Sequence, residues 1–159
     1  YRKRNIKKLF FNVIKIDIVN DCAKSLVTKN NSIVGLSTKV LSLENFNCAE
    51  ISIILSNREF VSNLKKQYFN VDVFTDVIAF NLEDKGDAID GEIYISIEDV
   101  LENSKKYNIT FNDEFKRVLI HGLLHLLGYD DKTEKQKNIM RTLENKYMLL
   151  SKNTIASIS

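Results

Sequence analysis

Both histidines of this chain fall in one segment, His121-Gly122-Leu123-Leu124-His125-Leu126-Leu127-Gly128-Tyr129-Asp130-Asp131. At i and i+4 they share one face of a helix. Phe115, Val118, Leu119, Leu123, Leu124, Leu126 and Leu127 make that helix apolar on most sides, so it is expected to be buried. Buried imidazoles cost free energy unless each has a partner. A divalent metal gives both of them one partner, at about 2.0–2.1 Å from nitrogen. Gly128 ends the helix and lets the chain reverse, so Asp131 can swing back as a third ligand. Three protein ligands with a fourth position left for water is the pattern of a catalytic zinc site. We expect one zinc ion per chain; nickel, cobalt or manganese would also accept two imidazoles and a carboxylate. Gly122, beside His121, removes a side chain where something must come close.

The ligand spacing resembles that of the metzincin-type zinc peptidases, HExxHxxGxxH. In those enzymes the Glu after the first histidine is the general base. Here that position is Gly122, which counts against ordinary peptidase chemistry. The version with Gly, HGxLHLxGYDH, resembles the YbeY family of bacterial single-strand endoribonucleases. His121, Gly122, Leu124, His125, Leu126, Gly128, Tyr129 and Asp130 match, as does Arg117 upstream. The last signature position, usually His, is Asp131. Asn63–Tyr68, Thr75–Ile78 with Asp72 and Phe80, and Gly91–Ile95 resemble two further blocks of the family in order and spacing.

The resemblance implies a metal-dependent endoribonuclease of ribosomal RNA maturation, acting at the 3′ end of 16S RNA and in ribosome quality control. Its partners would be single-stranded ribosomal RNA and the small ribosomal subunit. It also implies a zincin-like α+β domain, a small mixed sheet with helices, whose metal site lies at the C-terminal end of a buried helix. Two alternatives stay open: a ribosome-associated assembly factor with a chiefly structural metal, and a zinc peptidase with a base supplied from elsewhere. No protein base is assigned. Asp130, Asp76 and Glu92 are candidates only because they lie in the resembling blocks, and Asp130 could equally orient a ligand histidine.

Two departures from the family matter. Its arginine after the tyrosine falls on Phe69, which cannot bind phosphate as a guanidinium does. Arg117, Lys65 and Lys66 are the candidate RNA-binding cations, while Phe69 is compatible with stacking on a base or with core packing. Asp131 in place of His lowers the net charge of the site from +2 to +1. That raises the pKa of a bound water and predicts a more alkaline activity optimum.

Elements must position these residues. Leu9–Ile18 reads as extended, running into a helix over Asp17–Lys29, with Asn30–Asn31 and Gly35 marking a loop. Ala49–Leu55 alternates as a strand. Ser56-Asn57-Arg58-Glu59 reads as a capping box. Behind it Phe60, Leu64 and Tyr68 form a core-facing stripe. Asp76–Asn81 and Glu92–Ile97 read as strands, with Asp90-Gly91 as a turn. Glu98–Tyr107 reads as a short helix. Thr110 or Asn112 caps the histidine helix, Asp113–Leu127, and Thr133–Gln136 caps a last helix to about Leu150. Its core face is Ile139, Leu143, Tyr147 and Leu150.

The 159 residues, 44% hydrophobic, suffice for one domain with a core, taken as residues 1–150 with 151–159 as a frayed tail. No apolar run is long enough to cross a membrane. The start of the chain lacks an apolar core with a cleavage site, so a cytoplasmic location is expected. Opening on Tyr1, the sequence leaves room for a few residues ahead of it. With 23 basic and 21 acidic side chains, charge alone does not point to nucleic acid. The basic run Tyr1–Lys8 is compatible with a solvated end or a phosphate-binding arm. Cys22 and Cys48, 26 residues apart, have no metal-site spacing and are expected to be reduced thiols.

Overall fold

The structure, a computed structural model, describes residues 13–22, 25–71, 75–82 and 88–159. The basic run at the start and Asp72 lie outside these residues. A four-stranded sheet is built from β1 (Ile14–Asn20), β3 (Ala49–Ser56), β4 (Val77–Asn81) and β5 (Ile89–Ser96), in the order β1-β3-β5-β4. The β1–β3 and β3–β5 pairs are parallel, and β4 runs antiparallel on the edge. A second, two-stranded sheet pairs β2 (Leu26–Thr28) with β6 (Ala156–Ile158). The helices are α1 (Asn30–Leu43), α2 (Arg58–Phe69), α3 (Ile97–Lys106), α4 (Phe111–Leu126) and α5 (Glu134–Met148). Among the described residues, no helix is long and apolar enough to cross a membrane.

The period of two in β3 and β5 sets one face of the sheet. Ile51, Ile53 and Leu55 line up beside Gly91, Ile93 and Ile95, and all six are buried. Helix α4 lies against that face. Its contact is close because two glycines remove side chains. A Cβ on Gly122 would meet Ile93 Cγ2 at 2.9 Å and Val77 Cγ2 at 3.0 Å, and one on Gly91 would meet Leu126 Cδ2 at 2.9 Å. What comes close to Gly122 is therefore the sheet. Asp90-Gly91, expected as a turn, lies inside β5, paired with β3 on one side, and Leu126 occupies the space a side chain on Gly91 would need.

Other expectations also change. Among the described residues the helix expected over Asp17–Lys29 is absent: β1 continues to Asn20, and Leu26–Thr28 form β2. The expected loop at Asn30–Gly35 is instead the start of α1, whose Ile33, Leu36, Ser37, Val40 and Leu41 are buried at helical spacing. The N-cap of α2 is Asn57, not Ser56; its side chain accepts from Phe60 N at 2.8 Å. In α2 the buried residue is Val61, whereas Phe60 and Tyr68 are exposed and rest on Tyr94 and Phe80, on the face of the sheet opposite α4. Ile139 of α5 is exposed, and Met140, Glu144 and Tyr147 face inward.

Residues 151–159, expected to fray, are docked. Ile155 and Ala156 are buried, and their N–H groups donate to Asn112 Oδ1 at 2.7 and 3.3 Å. The buried Lys116 ammonium donates to Ser151 O at 2.8 Å. Both cysteines are free, and burial pushes the Cys22 thiol up to about 11.

Candidate metal centre

Helix α4 starts at Thr110, whose hydroxyl accepts from Asp113 N at 3.0 Å. It ends in a Schellman motif: Tyr129 N donates to Leu124 O at 3.1 Å and Gly128 N to His125 O at 3.0 Å. Gly128 sits at φ +96°, a conformation that side chains other than glycine's resist. This reversal has two effects. It brings the Tyr129 carbonyl to His125 Nδ1 at 3.0 Å, and it returns Asp131 to the histidines. Asp130 Oδ1 accepts from Asp131 N at 2.9 Å and its other oxygen meets Lys132 Nζ at 3.3 Å. Asp130 thus braces the turn.

His121 Nε2 and His125 Nε2 face each other at 2.9 Å. Asp131 Oδ2 lies 3.4 Å from the first and 3.8 Å from the second. His121, His125 and Asp131 form a cluster that could hold a metal ion, each donor atom within 4.8 Å of the others. Donors about 2.1 Å from one tetrahedral ion lie roughly 3.4 Å apart, so the three distances bracket the spacing such an ion needs.

The other nitrogen of each ring is engaged. His125 Nδ1–H donates to the Tyr129 carbonyl, and His121 Nδ1 lies 2.5 Å from Glu144 Oε1. With a proton on each Nδ1, both Nε2 lone pairs point into the same space. Two facing lone pairs repel, and a cation between them relieves that. The donor set therefore fits a divalent ion. Glu144, on α5 and buried, is the residue the sequence reading missed. Its signal was a carboxylate on the inward stripe Met140-Glu144-Tyr147, where a charge requires a partner.

Electrostatics separates the two rings. Burial pushes His121 down, but the Glu144 carboxylate first, then Asp131 and Asp76, together hold the imidazole above its ordinary value. His125 is held below its ordinary value by burial, then by the neighbouring His121. Arg117 Nη1 reaches Glu144 Oε2 and Asn145 Oδ1, each at 3.5 Å. It therefore stands behind His121, in a smaller hollow of about 210 Å³ that it shares with Asp76, Glu114 and Glu144. In that hollow Glu114 Oε2 is buried with no hydrogen-bond partner, and burial raises the pKa of its carboxyl.

The histidines open onto a cleft of about 570 Å³ between the turn after α4, the edge strand β4 and the end of α2. Lys65, Phe69 and Lys132 line it with the three donors. Lys66 is exposed on α2 outside the cleft lining. Of the three expected RNA-binding cations, then, Lys65 reaches the metal cleft. Lys132 joins it, unforeseen although it directly follows Asp131. Asp76 also lines the cleft; burial raises its carboxyl, and Asn103 Nδ2 donates to it at 3.3 Å. Glu92 is engaged elsewhere, accepting from the Tyr94 hydroxyl at 2.6 Å.

Comparison with known proteins shows the family. The family described as Endoribonuclease YbeY matches residues 15–151. The endoribonuclease YbeY of Flavobacterium psychrophilum is 38% identical over 124 residues, 78% of this chain and 88% of that protein. The one from Karelsulcia muelleri is 43% identical over 114 residues, 71% of this chain and 79% of the relative. The solution structure of TM1509 from Thermotoga maritima superposes with a TM-score of 0.59 at 29% identity, covering 84% of this chain and 86% of that one.

Proposed function

The chain belongs to the endoribonuclease YbeY family, and on that premise we propose that it is a metal-dependent endoribonuclease cutting single-stranded ribosomal RNA. The finer role is maturation of the 3′ end of 16S RNA and ribosome quality control, in the cytoplasm, with the small ribosomal subunit as partner. One observation carries the metal dependence: His121 Nε2, His125 Nε2 and Asp131 Oδ2 converge while each Nδ1 is held from outside.

His121, His125 and Asp131 would hold the ion, and zinc suits the donor set. When bound, a divalent ion supplies Lewis acidity at a phosphoryl oxygen and activates water near neutral pH. The chain's own residues do the rest. Glu144 and the Tyr129 carbonyl keep a proton on each Nδ1, so both Nε2 atoms stay free to coordinate. Asp131, more exposed than either imidazole, leaves that side of the site open to the cleft. Lys65 and Lys132 put positive charge along the cleft wall, where an RNA backbone would run. Arg117 balances Glu144 and leaves phosphate contact to the lysines.

The test incubates zinc-loaded protein and its His125→Ala variant with a single-stranded 16S fragment, the same sequence paired into a duplex, and an unfolded protein. We expect the single strand to be cut by wild type alone. Cutting of the protein substrate instead would point to a peptidase. RNA binding without cutting, at full zinc occupancy, would point to an assembly factor.

A further inference from the structure

Phe69 is an apolar side chain in a place that burial does not explain. It is the last residue of α2, and Asn70 stops the helix there in a left-handed conformation, φ 52°. Its ring lies parallel to that of Phe80 on β4, with centroids 5.8 Å apart and an interplanar angle of 20°. Phe80 is held in turn by edge contacts with Tyr68 at 5.2 Å and Tyr94 at 5.9 Å, and Phe60 packs on Tyr94 at 5.9 Å. Four rings from α2, β4 and β5 thus brace the fifth. Yet Phe69 remains 51% exposed, and it lines the cleft that holds His121, His125 and Asp131. A ring that only filled the core would be covered.

We infer that Phe69 is a stacking platform for an unpaired base of the RNA strand, next to the phosphate being cut. The inference rests on the endoribonuclease reading and names what that site recognises. A flat ring braced by Phe80 loses little freedom when a second flat ring covers it. Base–aromatic stacking is tolerant of sequence because every base has a π-face. Lys65, one turn back on α2, and Lys132, across the cleft, supply charge for the flanking phosphates. A base inside a duplex is already stacked on both sides. The platform therefore favours single strands.

The experiment is single-turnover cleavage by zinc-loaded protein, titrated to give half-saturation and maximal rate separately. The substrate is a short single-stranded RNA and a series of the same RNA with one abasic position each. Phe69→Leu is expected to raise half-saturation by about 5–150-fold, the range for loss of one stacked base. Phe69→Tyr, which keeps the ring, is expected to stay near wild type. In wild type one abasic position gives a comparable loss, and Phe69→Leu abolishes that position's effect. If wild type cuts the RNA but Phe69→Leu leaves half-saturation within about twofold, or the abasic profiles of the two proteins coincide, the platform is wrong and the nuclease reading stands. If wild type cuts no RNA at full zinc occupancy, the nuclease reading itself fails, and this inference with it.

Discussion

Glu144 Oε1 stands 2.5 Å from His121 Nδ1, so a carboxylate on α5 decides which nitrogen of a histidine on α4 faces the cleft. Arg117, one helical turn before His121, holds the other oxygen of the same carboxylate. The arrangement is therefore layered, a cation behind a carboxylate behind the proposed ligand His121. Outer groups of this kind tune metal affinity through ligand basicity.

Glu144→Gln keeps an acceptor for Nδ1–H but removes the charge. Metal affinity is expected to fall by about 10–100-fold. In metal-free protein the His121 pKa is expected to drop, because Glu144 is the largest of the carboxylate contributions that oppose burial there. Metal titration and an NMR titration of the imidazoles check both parts. An unmoved His121 pKa would show that the carboxylate carries no charge in the fold.

Gly122→Ala forces a methyl group against Ile93 and Val77. Overpacking of this kind costs about 1–3 kcal/mol, while alanine's better helix propensity returns about 1 kcal/mol. Thermal melts are expected to show a net loss of a few degrees, with weaker metal binding as α4 is pushed off the sheet. A variant as stable as wild type would mean that the sheet yields more easily than its buried position suggests.

Glu114 gives a pH signature. Burial, then Asp76, raise its folded pKa above the unfolded value, against the pull of Arg117. A group with a raised folded pKa contributes its stability below its unfolded pKa of about 4.3 and loses it as pH rises through the folded pKa. Glu114→Gln cannot ionise, so its melting temperature relative to wild type is expected to climb from pH 4 toward pH 8. A difference that stays constant with pH would contradict the assignment.

Asp131→His restores a third imidazole and a site charge of +2. Water bound at such a site ionises more readily. The pH–rate profile is expected to move toward acid; one that stays put or moves toward alkali would argue that Asp131 is not a ligand.

How much of this was legible in the sequence depends on how locally each feature is encoded. The two histidines, the helix stop at Gly128 and the return of Asp131 sit within the eleven residues His121–Asp131, so spacing alone set them out. Strand β3 showed because its apolar residues alternate. Glu144 did not show, because its partner is 23 residues away and its meaning depends on how α5 packs on α4. The C-terminal segment was misread for the same reason: its pairing partner, β2, lies near the other end of the chain. Helix α1 was missed because Asn30, Asn31 and Gly35 look like punctuation, although the buried stripe from Ile33 to Leu41 overrides them. Gly91 passed for a turn residue because the sequence does not record that Leu126 fills its missing side chain.

The central claim is that His121, His125 and Asp131 hold one divalent ion. Elemental analysis of protein incubated with excess zinc and then desalted tests it most directly. The account predicts about one equivalent per chain in wild type and a small fraction of that in His125→Ala. Less than about half an equivalent in wild type, or equal zinc in the variant, would contradict it.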